Sequence, residues 1–130
     1  MKRKDVVGFI DKIRIAYPSK KYYENKEDLE KLIKMWLEMF GEYTEGFMQM
    51  VLNRAILKND YPPTFSSIDK NIGELIDDYE RRKRELRDSI KHWEDLIQYD
   101  KEEEKVKHQN WRKEAEEELK ELEEFKVWDD

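Results

Sequence analysis

The sequence predicts an all-α protein in which a small N-terminal helical bundle is followed by a long charged helix or helical hairpin. Apolar residues recur at the three- and four-residue steps of a helix face along most of the 130 residues, and neither glycine nor proline occurs after Gly73. Charged residues make up 45% of the chain, which alone would suit disorder, but four Trp, seven Tyr and five Phe suffice for a modest core. A folded helical protein is therefore expected.

Charge is distributed unevenly along the chain. Residues 1–65 carry 12 Lys and Arg against 10 Asp and Glu, whereas residues 66–130 carry 14 against 22, so the whole acidic excess lies in the second half. Large apolar side chains are dense in the first half and sparse in the second. We therefore predict two domains, a compact helical bundle over residues 1–68 and a charged helical C-terminal region over residues 69–130 for partner binding or self-association.

Three helices are predicted in the bundle. Pro18 disfavours helical geometry at Tyr17 and ends the first helix there, while Gly41 is the predicted C-cap of the second and Thr44 the predicted N-cap of the third. Their apolar stripes are Val6, Phe9, Ile10, Ile13 and Tyr17, then Leu29, Leu32, Ile33, Trp36 and Phe40, then Phe47, Met48, Val51, Leu52 and Ala55. Large apolar side chains of a small bundle lie mostly in its core, which is the expectation for Tyr17, Trp36, Phe40, Phe47 and Tyr61.

A fourth helix is predicted after an extended Tyr61-Pro62-Pro63 link, with Thr64 or Ser66 as its N-cap. Its apolar seam runs through Ile72, Ile76, Tyr79, Leu86, Ile90, Trp93 and Ile97. The seam is interrupted across residues 99–105 and resumes with Trp111, Ala115, Leu119, Leu122 and Phe125. A bend, a turn or a frayed segment is expected at the interruption, and the sequence leaves open whether the C-terminal region is a hairpin, one rod or partly disordered.

The sequence offers few groups for catalysis. Its two histidines, His92 and His108, have no ligand partner at metal-binding spacing, and the absence of cysteine excludes a cysteine-ligated metal site. We interpret both histidines as polar residues of helix surfaces. The acidic runs Glu102-Glu103-Glu104 and Glu116-Glu117-Glu118 point around a helix, so neither forms one shared acid-base pair. We predict that the protein is not an enzyme and has no catalytic residue, cofactor or metal.

Nucleic acid and membrane are not expected as direct partners. The basic start of the chain and the run Arg81-Arg82-Lys83-Arg84 belong to an acidic protein that repels phosphate overall, so solvated helix faces explain them better. No apolar run approaches the ~20 residues of a membrane span, and the first residues do not read as a signal peptide. An intracellular compartment is the natural expectation for a chain without cysteine.

Several features of the N-terminal half occur together. The first helix ends with Ile13-Arg14-Ile15-Ala16-Tyr17-Pro18, and aromatic residues lie in and after the second helix at Trp36, Phe40 and Tyr43. The third helix carries Ala55-Ile56 and leads into an aromatic-Pro-Pro-Thr segment before the fourth, Tyr61-Pro62-Pro63-Thr64-Phe65-Ser66-Ser67-Ile68. In this combination the N-terminal half resembles the phage replicative-helicase loader/inhibitor proteins.

The resemblance implies a small, all-helical, non-enzymatic phage protein of the host cytoplasm. Proteins of this family bind the hexameric replicative helicase, hold its ATPase and unwinding in check, and deliver it to an initiator protein at the phage origin. The resemblance therefore implies two partners, the hexameric helicase and an origin-binding initiator. It also implies that the polar C-terminal region engages the helicase.

The C-terminal region has the composition of a segment that gains apolar burial from a partner, because it is too charged to bury a core yet keeps large apolar residues. The candidate partner-binding residues are Trp93, Ile97, Trp111, Leu119, Leu122, Phe125 and Trp128. A helix stripe alone does not identify what covers it. Burial in a hairpin of the same chain, or in a homodimer through the C-terminal helices, therefore stays open.

Two other classes of protein are alternatives. An acidic phage-encoded inhibitor of the anti-restriction or anti-CRISPR type would act by DNA mimicry or by blocking a protein surface, with residues 114–124 imitating a row of phosphates. Lys113, Lys120 and Lys126 interrupt that acidic face and favour the helicase adaptor. A structural coiled-coil protein would instead dimerise through residues 66–130 alone.

Overall fold

The computed structural model of the chain describes residues 1–129, which contain five helices and no strand. The helices are α1 (Arg3–Ala16), α2 (Lys26–Phe40), α3 (Glu45–Lys58), α4 (Phe65–Ile97) and α5 (Glu102–Glu124). The predicted all-α fold is confirmed. The break between α4 and α5 lies within the stretch where the apolar seam is interrupted.

The chain forms two compact units. The first is Met1–Leu75 together with residues 126–129, and the second is Ile76–Phe125. The division falls inside α4 rather than at residue 68, because Ile68 and Ile72 on the first turns of α4 are buried. Independent folding of the two predicted domains stays a prediction.

The core of the first unit forms where α1 packs against α2 and α3. Trp36 is its central aromatic residue, with ring centroids 5.9 Å from Phe9, 5.4 Å from Phe40 and 6.3 Å from Phe65. The three rings surround one fully buried indole, and such aromatic contacts add to the free energy gained from burial alone. The predicted burial is confirmed for Tyr17, Trp36, Phe40 and Phe47.

The expectation that Tyr61 lies in the core is wrong, because its side chain is 67% exposed. Tyr61 belongs to the link between α3 and α4, where Asn59 and Asp60 are exposed as well. A side chain in such a link is not turned inward by the periodicity of a helix face. The Tyr61 ring instead faces a cation, with the Lys20 ammonium nitrogen 4.4 Å from the ring centroid.

Side-chain caps begin α3 and α4. The Phe47 amide donates a hydrogen bond to Thr44 Oγ1 (3.2 Å), which confirms the predicted cap of α3. The Ser67 amide donates to Thr64 Oγ1 (3.1 Å), and α4 starts directly after Thr64. Of the two predicted candidates for this cap, the structure therefore selects Thr64 over Ser66.

Gly41 is the C-cap of α2, as predicted, although its backbone is right-handed, with φ −61° and ψ −23°. The usual reason for glycine at a helix end, a left-handed backbone, therefore does not apply. Space explains it instead, because a Cβ atom at this position would lie 2.3 Å from the carbonyl oxygen of Leu37.

Tyr22 lies in the loop between α1 and α2, and hydrogen bonds from Arg14 hold this loop in place. The Arg14 guanidinium donates from Nε to the carbonyl oxygen of Tyr22 (3.1 Å) and from Nη2 to that of Tyr23. Tyr23 has a left-handed backbone (φ 50°), which is uncommon for a residue with a side chain and needs such support. Burial, and to a smaller extent the neighbouring Tyr23, raises the pKa of Tyr22 to about 12.

We expect Tyr22 to make stability fall at alkaline pH. Its folded-state pKa lies above the value of ~10 in the unfolded chain, so its contribution is complete below pH 10 and is lost as the pH rises to about 12. The free energy of unfolding should fall by about 1.4 kcal/mol per pH unit in this window through Tyr22. Urea denaturation of Tyr22→Phe should show a shallower decline. Tyr99→Phe, at an exposed position, should decline like the wild type, and an unchanged slope in Tyr22→Phe would contradict the assignment.

The second unit is a helical hairpin formed by the later part of α4 and by α5. Tyr79 pairs with Phe125 at one end, with ring centroids 5.6 Å apart, and Trp93 pairs with Trp111 at the other, 4.9 Å apart. The earlier residue of α4 contacts the later residue near the end of α5, and the later residue of α4 contacts the earlier one. The two helices are therefore antiparallel. The choice between rod and hairpin is resolved in favour of the hairpin.

Ion pairs and one buried leucine join the two helices of the hairpin. Arg82 donates two hydrogen bonds to Glu118, at 3.0 and 2.8 Å, and Arg87 donates one to Glu123 at 3.3 Å. Exposed pairs of this kind contribute roughly 0–1 kcal/mol each. Leu86 is buried and is the main apolar anchor of this part of α4. Burying one leucine side chain contributes about 1.5–3 kcal/mol, which is more than either of these ion pairs.

Candidate partner-binding surface

An aromatic cluster lies at the turn end of the hairpin. Trp93 on α4 contacts Trp111 and His108 on α5, with ring centroids 4.9 and 5.2 Å apart, and His108 contacts Trp111 at 5.4 Å. Trp93 is half-buried, whereas Trp111 keeps 37% of its surface exposed. The hairpin thus brings together two of the predicted partner-binding residues and leaves part of one indole ring in solvent.

His108 is held inside this cluster by Asp100. Its Nδ1 atom lies 2.5 Å from Asp100 Oδ2, and only 17% and 8% of the two side chains are exposed. The interpretation of His108 as a polar surface residue is wrong, because closure of the hairpin covers it. His92, beside Trp93, is exposed as predicted. A signal for His108 was present in the sequence, since it precedes Trp111 by three residues and shares its helix face.

The opposite end of the hairpin carries the other predicted residues of α5. Phe125 packs against Tyr79 and keeps 36% of its surface exposed. Leu119 and Leu122 are half-buried, and so is Ile97 at the end of α4. Burial in a hairpin of the same chain therefore accounts for part of the apolar surface of this region.

Trp128 belongs to the first unit, not to the hairpin. It lies in residues 126–129, which we call the return segment because they follow α5 and rejoin the N-terminal unit. The Trp128 ring contacts Tyr43 at a centroid distance of 6.2 Å, and 51% of Trp128 is exposed. Tyr43 and Tyr79 were not among the predicted site residues, although each packs against one of them.

The basic run in α4 is compensated by neighbouring acidic side chains. Arg81, Arg82 and Lys83 each form an ion pair, at distances of 3.0, 2.8 and 3.4 Å to Asp78, Glu118 and Glu80 respectively. Their charges are therefore engaged within the hairpin. Among residues 1–129, no three His, Asp or Glu side chains are grouped as a metal ion would require. No helix in the described part of the chain is long and apolar enough to cross a bilayer.

Fold and surface together define an all-helical protein whose candidate functional residues are aromatic contact residues. The family model for the N-terminal domain of the phage helicase loader/inhibitor proteins matches residues 1–69, so the chain belongs to this family. The resemblance of the N-terminal half is thereby confirmed. Proteins of this family are not themselves catalytic and bind a replicative helicase. Comparisons with curated proteins and with solved structures gave no match.

Proposed function

We propose that the protein is a non-enzymatic phage replication adaptor that binds a hexameric replicative DNA helicase, restrains it, and delivers it to an origin-binding initiator. The observation that carries the proposal is the family match over residues 1–69. The N-terminal unit is then the part available to the initiator. The protein would act in the cytoplasm of the bacterial host, where the helicase works.

We further infer that the hairpin and the return segment contact the helicase. Support comes from the exposed parts of three aromatic side chains, because large aromatic residues are typical hot spots of protein interfaces. The rings of Trp111 and Phe125 also pack against a neighbour, which limits the side-chain entropy lost on binding. The proposed contact residues are Trp93, Ile97, Trp111, Leu119, Leu122, Phe125 and Trp128.

The charges of the hairpin favour a protein partner over DNA. Three residues of the basic run of α4, Arg81, Arg82 and Lys83, are engaged in ion pairs with acidic side chains, which lowers the charge available to phosphates. The alternative of an acidic DNA mimic is not favoured. Lys113 and Lys120 are exposed on α5 among its glutamates and dilute the acidic face. A homodimer through the C-terminal helices stays a prediction, and the hairpin already uses part of the seam that such a dimer would need.

Mixing the full chain with the hexameric helicase tests the proposal. Light scattering should show a complex heavier than the hexamer, and the ATPase rate of the helicase should fall when the complex forms. Binding should weaken only moderately with added salt, because both charge signs line the helices and screening affects attraction and repulsion alike. A DNA mimic would instead lose affinity steeply with salt and be displaced by DNA. Absence of a complex at micromolar concentrations would refute the proposal.

A further inference from the structure

The return segment pairs with the turn between α2 and α3 like a very short β-strand. The Thr44 amide donates a hydrogen bond to the carbonyl oxygen of Val127 (2.8 Å), and the Asp129 amide donates to that of Glu42 (2.7 Å). These two bonds flank a single antiparallel bridge between Tyr43 and Trp128. The pairing therefore extends over only one residue pair.

Two polar contacts add to this pairing. Thr44 Oγ1 donates to the carbonyl oxygen of Lys126 (2.7 Å), and the Met1 amino nitrogen lies 2.7 Å from Asp129 Oδ2. The same nitrogen also donates to the carbonyl oxygen of Gly41 (2.6 Å). The contact of Thr44 with Lys126 is exposed, and so is half of the Asp129 side chain, so water replaces these partners when the segment opens. The Met1 amino nitrogen is itself covered, and it keeps its bond to Gly41 when Asp129 leaves.

Trp128 is held on the N-terminal unit without being buried in it. Its ring contacts Tyr43, which also contacts Phe47 in the core, yet about half of the Trp128 surface remains in solvent. A residue that served only the stability of this unit would be covered more completely. A hot spot of an interface, in contrast, is fully desolvated by its partner.

We propose that the return segment is a displaceable latch that holds Trp128 on Tyr43 in the free protein, and that helicase binding releases it. Release frees the side of the indole that Tyr43 covers, so that the helicase can bury the whole ring. Only molecules with an open latch can bind in this way. The apparent affinity for the helicase is therefore the affinity of the open protein multiplied by the fraction of molecules in which the latch is open. This inference rests on the proposed function, because it concerns the regulation of the same contact residues.

A disulfide can hold the latch closed. Glu42 and Asp129 are the residue pair next to the bridge, and the Asp129 amide donates to the carbonyl oxygen of Glu42, so their Cα atoms should lie ~5.5 Å apart, within the range that a disulfide spans. The native chain has no cysteine, so no other disulfide competes in Glu42→Cys/Asp129→Cys, which keeps the rings of Tyr43 and Trp128. We expect the oxidised variant to bind the helicase at least tenfold more weakly than the same variant after reduction. Equal affinity of the two forms would overturn the latch.

Two controls isolate the effect of closure. The single variants Glu42→Cys and Asp129→Cys should bind the helicase with the same affinity under oxidising and reducing conditions. Comparing one variant in two redox states cancels the loss of the two carboxylates, and thermal unfolding of both states shows that the fold persists. A redox response in a single variant would mean that oxidation acts on something other than the latch.

Hydrogen exchange of the wild-type chain without helicase tests the opening itself. The amides of Thr44 and Asp129 should exchange at least tenfold faster than the amide of Val51 in α3, because opening the latch does not require unfolding the core. Equal rates would show that the segment separates only on global unfolding and would overturn the proposal. If the wild type does not bind the helicase at all, the proposed function fails together with the role of the latch in binding, while the exchange rates still decide whether the segment opens.

Discussion

Replacing Trp36 by alanine should lower the free energy of unfolding by roughly 3 to 5 kcal/mol. The side chain is fully buried among the rings of Phe9, Phe40 and Phe65, so the substitution removes apolar burial and leaves a cavity. A loss of this size is comparable with the whole stability of a small domain. Urea denaturation followed by circular dichroism measures it, and an unchanged midpoint would place Trp36 on the surface.

A second substitution at the same position separates packing from polarity. The indole Nε1 atom is buried and makes no hydrogen bond of good geometry within residues 1–129, although a weaker interaction with the Tyr22 hydroxyl opposes the rise of the Tyr22 pKa. Trp36→Phe keeps most of the ring contacts and removes this unsatisfied donor, so it should cost far less than Trp36→Ala. Equal losses for the two variants would contradict this expectation, because they would mean that the ring contacts kept by phenylalanine contribute nothing to stability.

Replacing Trp111, Phe125 and Trp128 together by alanine should weaken helicase binding at least thirtyfold. These side chains keep 37%, 36% and 51% of their surface exposed, and a hot-spot residue commonly contributes about 2 kcal/mol or more, which is about a thirtyfold change in affinity. Deleting residues 106–130 should abolish binding. The substitutions are the sharper test, because the deletion also removes most of α5 and the return segment of the first unit.

The triple substitution also removes contacts inside the hairpin, namely those of Trp111 with Trp93 and of Phe125 with Tyr79. Leu86→Ala is the matched control, since Leu86 is buried in the same unit and its loss weakens the hairpin without touching an exposed ring. We expect this control to bind the helicase nearly as well as the wild type. Equal weakening in both variants would assign the effect to hairpin stability and exclude direct contact.

The elements of the first unit could be predicted because their signals are local. A helix stripe, a proline and a capping threonine act within a few residues, and the predicted burial of Trp36 and cap at Thr44 are confirmed. The errors concern residues whose surroundings depend on distant parts of the chain. Tyr61 is exposed because no helix face directs it inward, and His108 is covered because the turn brings Asp100 against it.

For the candidate surface, the sequence predicts which apolar residues take part but not how they are arranged. The large apolar residues of the C-terminal region are visible in the sequence, but a turn without glycine or proline gives no local sign that α5 folds back. The contact of Trp93 with Trp111 and that of Trp128 with Tyr43 depend on this reversal of the chain. Sequence periodicity therefore identifies the apolar residues, while the tertiary contacts decide how much of each stays exposed.

The path of the chain makes the hairpin an insertion within the N-terminal unit. The chain leaves that unit after Leu75 and rejoins it after Phe125, and the contact of Tyr79 with Phe125 shows that the hairpin brings its own two ends together. If the hairpin were unfolded, seating the return segment would require closing a flexible loop of about 50 residues, at an entropic cost of about 3.5 kcal/mol. In a folded hairpin this chain entropy is already lost, so seating the return segment does not require the loop to be closed again. Substitutions that melt the hairpin therefore also unseat the return segment, which couples the two units thermodynamically through the chain alone.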